Sequence, residues 1–425
     1  MHSPLVPQSI RLTRRDPGKD AVFRRLHDNP ARSTHAIFLL MASVFSPRAV
    51  RLRFRSLATL TTAFLLLLLA AVSASAQGGV PSVADVATQA TAARDANNVP
   101  LAIDLYQQAL KLNPKWTDGW WFLGSLQYGV GAYREASDAL SHYLGLTPDA
   151  PPALAMRGLC EFETGDFEPS LKDIQKALAL GAANQPRNEK ILRYHEALLL
   201  TRMGRFEDAL RSFAFFAHDE DSNPELLMAL GLAGLRTPLF PKDLRADQQE
   251  LYISVGRAAF NFMKGNLDAA SADFEHVFER VPPTANAHYL YGYLLYATDP
   301  DQAVVQFKKE LEVNPSNAVA EVMLAWIPLL QNDGPEALPY AQKAVADAPA
   351  LPSAQLVLGR ALTETGNAKA GVEHLEKTVQ WQPDNLEVHL ALAKAYSKAG
   401  RKEDARRERL LCLEMTKNES PATHP

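Results

Sequence analysis

The feature that most constrains this chain is the spacing of its prolines. Pro282, Pro315, Pro349 and Pro383 recur at an almost constant interval, and the earlier pair Pro114 and Pro148 keeps the same step. A step of about 34 residues is the length of a two-helix unit, and such a unit buries its apolar face only against its neighbours. The chain is therefore expected to stack as a solenoid, an architecture that points to a binding scaffold.

Each proline closes a helix. Ala102, Tyr106 and Ala109 precede Pro114 at positions −12, −8 and −5, and the same offsets place Ala270, Phe274 and Val277 before Pro282. They also place Ala303, Phe307 and Glu310 before Pro315, and Ala337, Ala341 and Ala344 before Pro349. Residues at these offsets share one helix face, so each set predicts a narrow, closely approached stripe. Proline then stops the helix, because it lacks an N–H and disfavours helical backbone in the residue before it. A first helix stands upstream in each unit, marked 24 positions before the proline by a small residue: Ala90, Gly124, Ala258, Ala325 and Gly359. Between the two helices falls a turn at Asn97, Gly131, Gly165, Gly204, Gly265, Gly366 or Gly400, residues suited to the left-handed backbone that ends a helix.

This pattern resembles the tetratricopeptide repeat family, in which an aromatic or Leu is followed by Leu-Gly/Ala, Tyr, Ala, Phe and Pro. The best copy is Trp120, Leu123, Gly124, Tyr128, Ala136, Leu140 and Pro148. The resemblance implies an all-α, right-handed superhelical solenoid of about nine two-helix repeats, with a non-repeat N-terminal segment. Units begin near Val83, Thr117, Pro151, Lys190, Leu251, Ala285, Ala318, Pro352 and Leu386, and an unpaired helix runs from Pro224 to about Leu235. The run Arg236-Thr237-Pro238-Leu239-Phe240-Pro241-Lys242-Asp243 cannot continue either helix type. Residues 236–249 read either as an insertion or hinge between blocks 83–235 and 250–419, or as a decayed repeat.

The N-terminus reads as an address. Arg48, Arg51, Arg53 and Arg55 precede an uncharged run from Ser56 to Val72, and Ala74-Ser75-Ala76 then gives a small-x-small cleavage site before Gln77. Basic, apolar and small regions in that order make a secretory signal peptide over 41–76; an uncleaved anchor is the alternative. Residues 1–40 read as a disordered or mis-called extension, with Met41 as a second candidate start, and 420–425 as a disordered tail. The segment 1–76 holds 11 of the 44 basic and three of the 48 acidic side chains, which leaves 33 against 45, a net charge of −12. Such a balance disfavours nucleic acid and anionic membrane, whose binding rests on neutralised phosphate. The signal's style and the Ala-rich repeats indicate a bacterial protein of the periplasm or the exterior.

No enzyme constellation stands out. His142, His195, His218, His276, His288, His374 and His389 are scattered, and none pairs with another at the four-residue spacing that sets two ligands on one helix face. There is no Gly-x-Ser-x-Gly elbow and no Cys-x-x-Cys. No catalytic residue, metal or cofactor is expected. Cys160 lies in the third unit and Cys412 in the last, too far apart for a disulfide. Arg401 to Arg409 reads as a charged, solvated cap on the last helix, with Ala405 and Cys412 inward.

In the family, first helices line an inner groove. The packing stripe is taken by residues such as Leu123 and Gly124, so positions offset by one or two turns are expected to face that groove. They are Trp121, Tyr128, Phe162, Tyr194, Tyr252, Phe262, Tyr289, Tyr293, Tyr296 and Trp326. Aromatics in a groove offer large contact area at low entropy cost, although the same rings also serve as inter-helix packing in Ala-rich repeats. Some members clamp a carboxylate with Lys and Asn on these faces. Here the faces carry Val255, Tyr289, Val322 and Leu356, which favours an extended or helical apolar peptide. The expectation is an exported, non-enzymatic scaffold holding a protein or peptide, with no membrane contact after signal cleavage. The alternatives are an adaptor or spacer in an envelope complex, acting through outer faces and ends, or an accessory that presents substrate to a separate enzyme. No feature sets an oligomeric state.

Overall fold

The computed structural model describes residues 82–182, 186–218, 223–280 and 282–419. The expected extension, signal peptide and tail (1–40, 41–76 and 420–425) lie outside the described residues.

The described residues form nineteen α-helices and no strand, in two compact units that divide at Gln185/Pro186. The first unit holds three hairpins: α1 (Val83–Asp95) with α2 (Val99–Leu112), α3 (Thr117–Gly129) with α4 (Tyr133–Leu146), and α5 (Pro151–Thr164) with α6 (Phe167–Ala179). The second opens with α7 (Pro186–Arg202) and α8 (Phe206–Ala214), followed by the unpaired α9 (Pro224–Gly234). It continues with α10 (Ala246–Met263) and α11 (Leu267–Phe278), then α12 (Ala287–Leu295) and α13 (Pro300–Val313). Three hairpins close it: α14 (Ala318–Leu330) with α15 (Gly334–Asp347), α16 (Pro352–Glu364) with α17 (Ala368–Trp381), and α18 (Leu386–Lys398) with α19 (Lys402–Glu419).

Local chemistry sets these boundaries. Asn98, Asn223, Asp299, Asn317 and Asp333 cap helix starts, each side chain accepting from an N–H three positions on. All seven expected turn residues, Asn97 among them, have positive φ. The expected stripe is the core: Tyr106, Phe274, Phe307 and the alanines beside them are fully buried. The small residue of each first helix has a direct cause. A Cβ on Gly124 would stand 2.9 Å from Leu140, on Gly158 2.9 Å from Ile174, on Gly292 2.9 Å from Phe307, and on Gly359 2.6 Å from Leu375. The second helix thus seats one large side chain where the first has none.

Two expectations need correction. The 236–249 segment does not separate two blocks: its last four residues open α10, and α9 and α10, joined through 235–245, cross in close contact. A Cβ on Gly231 would strike the Tyr252 carbonyl oxygen, and one on Gly256 the Leu227 carbonyl oxygen. Only a short 3-10 turn at Pro241–Asp243 lies between them. The C-terminal cap is also less polar than its charge run implies. Ala405 and Cys412 are buried as expected, but Leu410, Leu411 and Leu413 are exposed.

Candidate partner-binding surface

The small residue of each first helix gives a common origin for its neighbours. In the second unit the series runs Ala258, Gly292, Ala325, Gly359 and Ala393. At 100° per residue, positions three before and four after lie on the same side as the origin, whereas the next residue is turned a quarter away.

The structure follows that geometry and reassigns several expected groove residues. Three before the origin stand Val255, Tyr289, Val322 and Leu356, all buried, and Leu390 of the last repeat, which is exposed. Tyr289 is only 3 % exposed. Its hydroxyl donates to Glu207 Oε1 at 2.6 Å, and its ring packs 5.7 Å from Phe307 beneath the Arg236 guanidinium. Arg236 is itself ion-paired to Glu207, so Tyr289 belongs to a closed network joining α8, the end of α9 and α12. Trp121 and Tyr194 hold the same position in earlier repeats. Trp121 lies against Tyr143 at 5.6 Å, and the Tyr194 hydroxyl donates to Glu225 at 3.2 Å.

Four after the origin stand Tyr128, Phe162, Phe262 and Tyr296. Tyr128 is 5 % exposed and packs on Tyr133 at 5.7 Å across the Gly131 turn. Phe162 meets Phe167 at 6.3 Å across the equivalent Gly165 turn. Both rings close their own hairpin. Phe262 meets Tyr291 edge-on at 6.4 Å, and the Tyr252 hydroxyl lies 3.3 Å from Thr237 Oγ1. Tyr128 and Tyr289 are core residues, because their positions point at the neighbouring helix and not away from it.

One after the origin the side chains are Tyr293, Trp326, Arg360 and Lys394, each one repeat beyond the last on α12, α14, α16 and α18. Here the structure brings a surface together. Tyr293 lies 6.2 Å from Tyr289 and 5.7 Å from Tyr296, so the expected tyrosine ladder exists with its inner rung buried. Trp326 is half-buried under the Arg360 guanidinium, 4.7 Å from its ring. Arg360 also bonds Glu387 at 2.7 Å and donates to the Leu329 carbonyl. Lys394 reaches Glu364 at 2.6 Å and Asn332 at 2.9 Å, and Lys398 reaches the other Glu364 oxygen at 2.7 Å. A cavity of about 150 Å³ opens between Arg360, Glu364, Glu387 and Lys394, with Leu390 at its side.

The wall therefore has two halves. The tyrosines and Trp326 make one aromatic, and the α16–α18 face makes the other charged. Lys394 and Lys398 are 48 % and 42 % exposed while the Glu364 between them is 12 % exposed, so the lysines are far more open to solvent than the carboxylate they share. Burial raises the Glu364 carboxyl, but hydrogen bonds from the two lysines outweigh it and hold the group below its ordinary value. Arg360, Glu364, Lys394 and Lys398 escape a search for aromatics. Their signal is the same interval that links them to Tyr293 and Trp326.

Among the described residues no group of three or more His, Cys, Asp or Glu side chains is placed to hold a metal ion, and no helix is long and apolar enough to cross a membrane. Both cysteines are buried, and burial pushes the Cys160 thiol up to about 12.

Models of the Tetratricopeptide repeat family match residues 88–151, 194–260, 293–354 and 362–408, together more than half of the chain. The Protein CTR9 homolog of Arabidopsis thaliana is 24% identical over 308 residues, which make up 71% of this chain and 26% of that protein. The chain thus spans about a quarter of the length of this curated relative. Among solved structures, MamA protein is 20% identical with a TM-score of 0.35, covering 41% of this chain and 98% of its own. Yeast Tom70 is 15% identical with a TM-score of 0.32, covering 78% and 92%. The matched segments fall on the helix pairs built above, with the α5–α6 hairpin and α11 outside them, and the chain belongs to the tetratricopeptide repeat family.

Proposed function

We propose that the protein is a non-enzymatic scaffold that holds a peptide segment of a protein partner along the first-helix wall of α12, α14, α16 and α18. One observation carries this reading: a single repeat position presents Tyr293, Trp326, Arg360 and Lys394 in sequence along four successive first helices. The matching ligand is a peptide whose apolar side chains lie on the aromatic half and whose Asp or Glu side chains reach Lys394 and Lys398. Aromatic anchors supply area, and exposed ammonium groups supply direction and specificity. The signal-like segment ending at Ala76 supports export; a mature protein beginning at Gln77 in the envelope fraction tests that part.

Selection from a random peptide library against the purified chain tests the wall. Enriched peptides should carry an apolar run beside an acidic one. Lys394→Glu should remove the acidic preference, and Tyr293→Ala the apolar one, with far-UV circular dichroism unchanged. Enrichment that ignores both substitutions would place binding elsewhere and defeat the proposal.

A further inference from the structure

Two hairpins of the chain hold a guanidinium at one fixed place. Counted from the small residue of the first helix, an arginine stands one before, a polar side chain three after and an aspartate fifteen after. In α5–α6 these are Arg157, Glu161 and Asp173, and Arg157 donates to both Asp173 oxygens at 2.5 and 2.9 Å. In α10–α11 they are Arg257, Asn261 and Asp273, where Arg257 and Asn261 donate to Asp173's counterpart at 3.1 and 2.7 Å. The α3–α4 hairpin has the polar residue without the pair, with Leu123, Gln127 and Ala139 at the three positions. Gln127 is 5 % exposed, and its Oε1 has no hydrogen-bond partner among the described residues. A cavity of about 570 Å³ opens there between α2, α3 and α4, lined by Gln127 and by the exposed side chains of Glu135, Asp138 and Lys111. None of these three charges is ion-paired within the described residues.

We propose that this cavity receives an arginine side chain of a protein partner, whose guanidinium takes the place that Arg157 and Arg257 fill in their own hairpins. Leu110, Leu123 and Ala139 offer apolar surface to the aliphatic stem. The guanidinium has five N–H donors and no acceptor, so it satisfies the Gln127 carbonyl and still reaches a rim carboxylate. Two carboxylates face one ammonium there, which favours an incoming cation. The volume falls within the range of small-ligand sites, about 300–1,000 Å³, and is ample for one side chain. A lysine brings a compact, strongly hydrated ammonium with fewer donors and fits less well. Free arginine brings its own α-carboxylate to a rim where Glu135 and Asp138 repel it, so the occupant is an arginine within a polypeptide. Trp120 and His142, stacked at 4.3 Å, form one wall, with the Trp120 indole N–H donating to the Pro114 carbonyl at 2.8 Å. The cavity lies in the first unit and takes a cation, so the proposal is independent of the first-helix wall in the second.

Titration of the full chain with Nα-acetyl-arginine amide tests it, followed by the nuclear magnetic resonance signal of the Trp120 indole N–H, assigned with Trp120→Phe. That signal should shift and saturate with a dissociation constant of roughly 1–10 mM. Nα-acetyl-citrulline amide, similar in shape but uncharged, and free arginine should each bind roughly 10-fold more weakly. Gln127→Leu and the exposed double change Asp138→Asn/Glu135→Gln should each cost roughly 10-fold, and Lys111→Gln should tighten binding about 3-fold. Leu123→Arg/Ala139→Asp rebuilds the internal pair of the other hairpins and should abolish the shift. Circular dichroism should show unchanged helix content in the variants of the exposed residues, so they decide the matter even where a buried change unfolds the hairpin. A Trp120 signal that never saturates overturns the proposal. So does citrulline binding as tightly as arginine, or affinity indifferent to Asp138→Asn/Glu135→Gln. Free arginine binding as tightly as the amide would make this a small-molecule site and overturn the protein partner.

Discussion

The crossing of α9 and α10 makes a prediction opposite in sign to the one helix propensity gives. Gly231 and Gly256 lie inside their helices, where alanine is ordinarily the better residue by about 1 kcal/mol. The structure reverses this. Each glycine faces the carbonyl one turn before the other, Tyr252 opposite Gly231 and Leu227 opposite Gly256, and an added Cβ would penetrate that oxygen. Backbone cannot swing aside as a side chain can, so Gly231→Ala must part the helices by roughly 1 Å, forfeiting much of the dispersion contact along the crossing. An overpacking cost of about 3–4 kcal/mol, less the propensity gain, leaves about 2–3 kcal/mol of destabilisation. Repeat arrays open locally, so amide hydrogen exchange resolves this better than one unfolding midpoint. Amides of α9 and α10 should exchange roughly 30- to 150-fold faster, with those of α18 unaffected. Once the helices have parted, the second alanine meets little new resistance, and Gly231→Ala/Gly256→Ala should cost clearly less than the sum of the single changes. Gly145, in α4 with nothing within 4 Å of its Cβ position, is the control: Gly145→Ala should stabilise by about 0.5 kcal/mol. Unchanged or slower exchange in Gly231→Ala would refute the reasoning.

Two further predictions concern buried polar groups. Burial, with the Asp173 carboxylate adding to it, raises the Glu161 carboxyl from 4.5 to about 7 against the opposing pull of Arg157. Folding therefore favours the protonated acid; its contribution is full below about 4.5 and lost as pH rises through about 7. Glu161→Gln should remove that decline, gaining about 2 kcal/mol over wild type at pH 8 after discounting for partial exposure, read by urea unfolding at pH 5 and pH 8. Tyr289→Phe deletes the hydroxyl that donates to Glu207 while Arg236 still pairs with that carboxylate. A loss of about 1 kcal/mol in urea unfolding is expected, with peptide selection unchanged; a loss of selection would return Tyr289 to the binding surface.

The hairpins were legible because prolines and glycines act through local backbone chemistry, which needs no knowledge of neighbours. Asn97 and Gly131 adopt the left-handed turn that ends a helix, and Pro315 stops α13 just ahead of it. The face of a tyrosine was less legible. Tyr289 and Tyr293 differ by one turn and look alike in sequence, yet one stands three before Gly292 and the other one after. Glu207 and Arg236, both far upstream in the sequence, complete the enclosure of the first. The segment 236–249 misled for a related reason. Pro238 and Pro241 mark a break in helix, but whether a break in helix separates blocks depends on the crossing of Gly231 with Gly256, which only tertiary structure shows.

Position within the repeat, more than residue type, separates stability from recognition here. At the origin, three before it and four after, the side chain is buried or half-buried between helices in every repeat but the last, where Leu390 and Ser397 are exposed, and replacing it changes packing first. One after the origin the backbone environment recurs while the chemistry runs from Tyr293 through Trp326 and Arg360 to Lys394. A solenoid can change this position with little effect on its neighbours' geometry, because each repeat is held by its own glycine-and-large-residue contact, Gly292 with Phe307 or Gly359 with Leu375. Trp326 marks the limit of that freedom, since it packs against the buried clusters on both sides as well as facing outward. Its truncation should therefore lower stability and binding together, whereas Lys394, half-exposed and held only by Glu364 and Asn332, should affect binding alone. The contrast between those two substitutions separates a wall that binds from one that only packs.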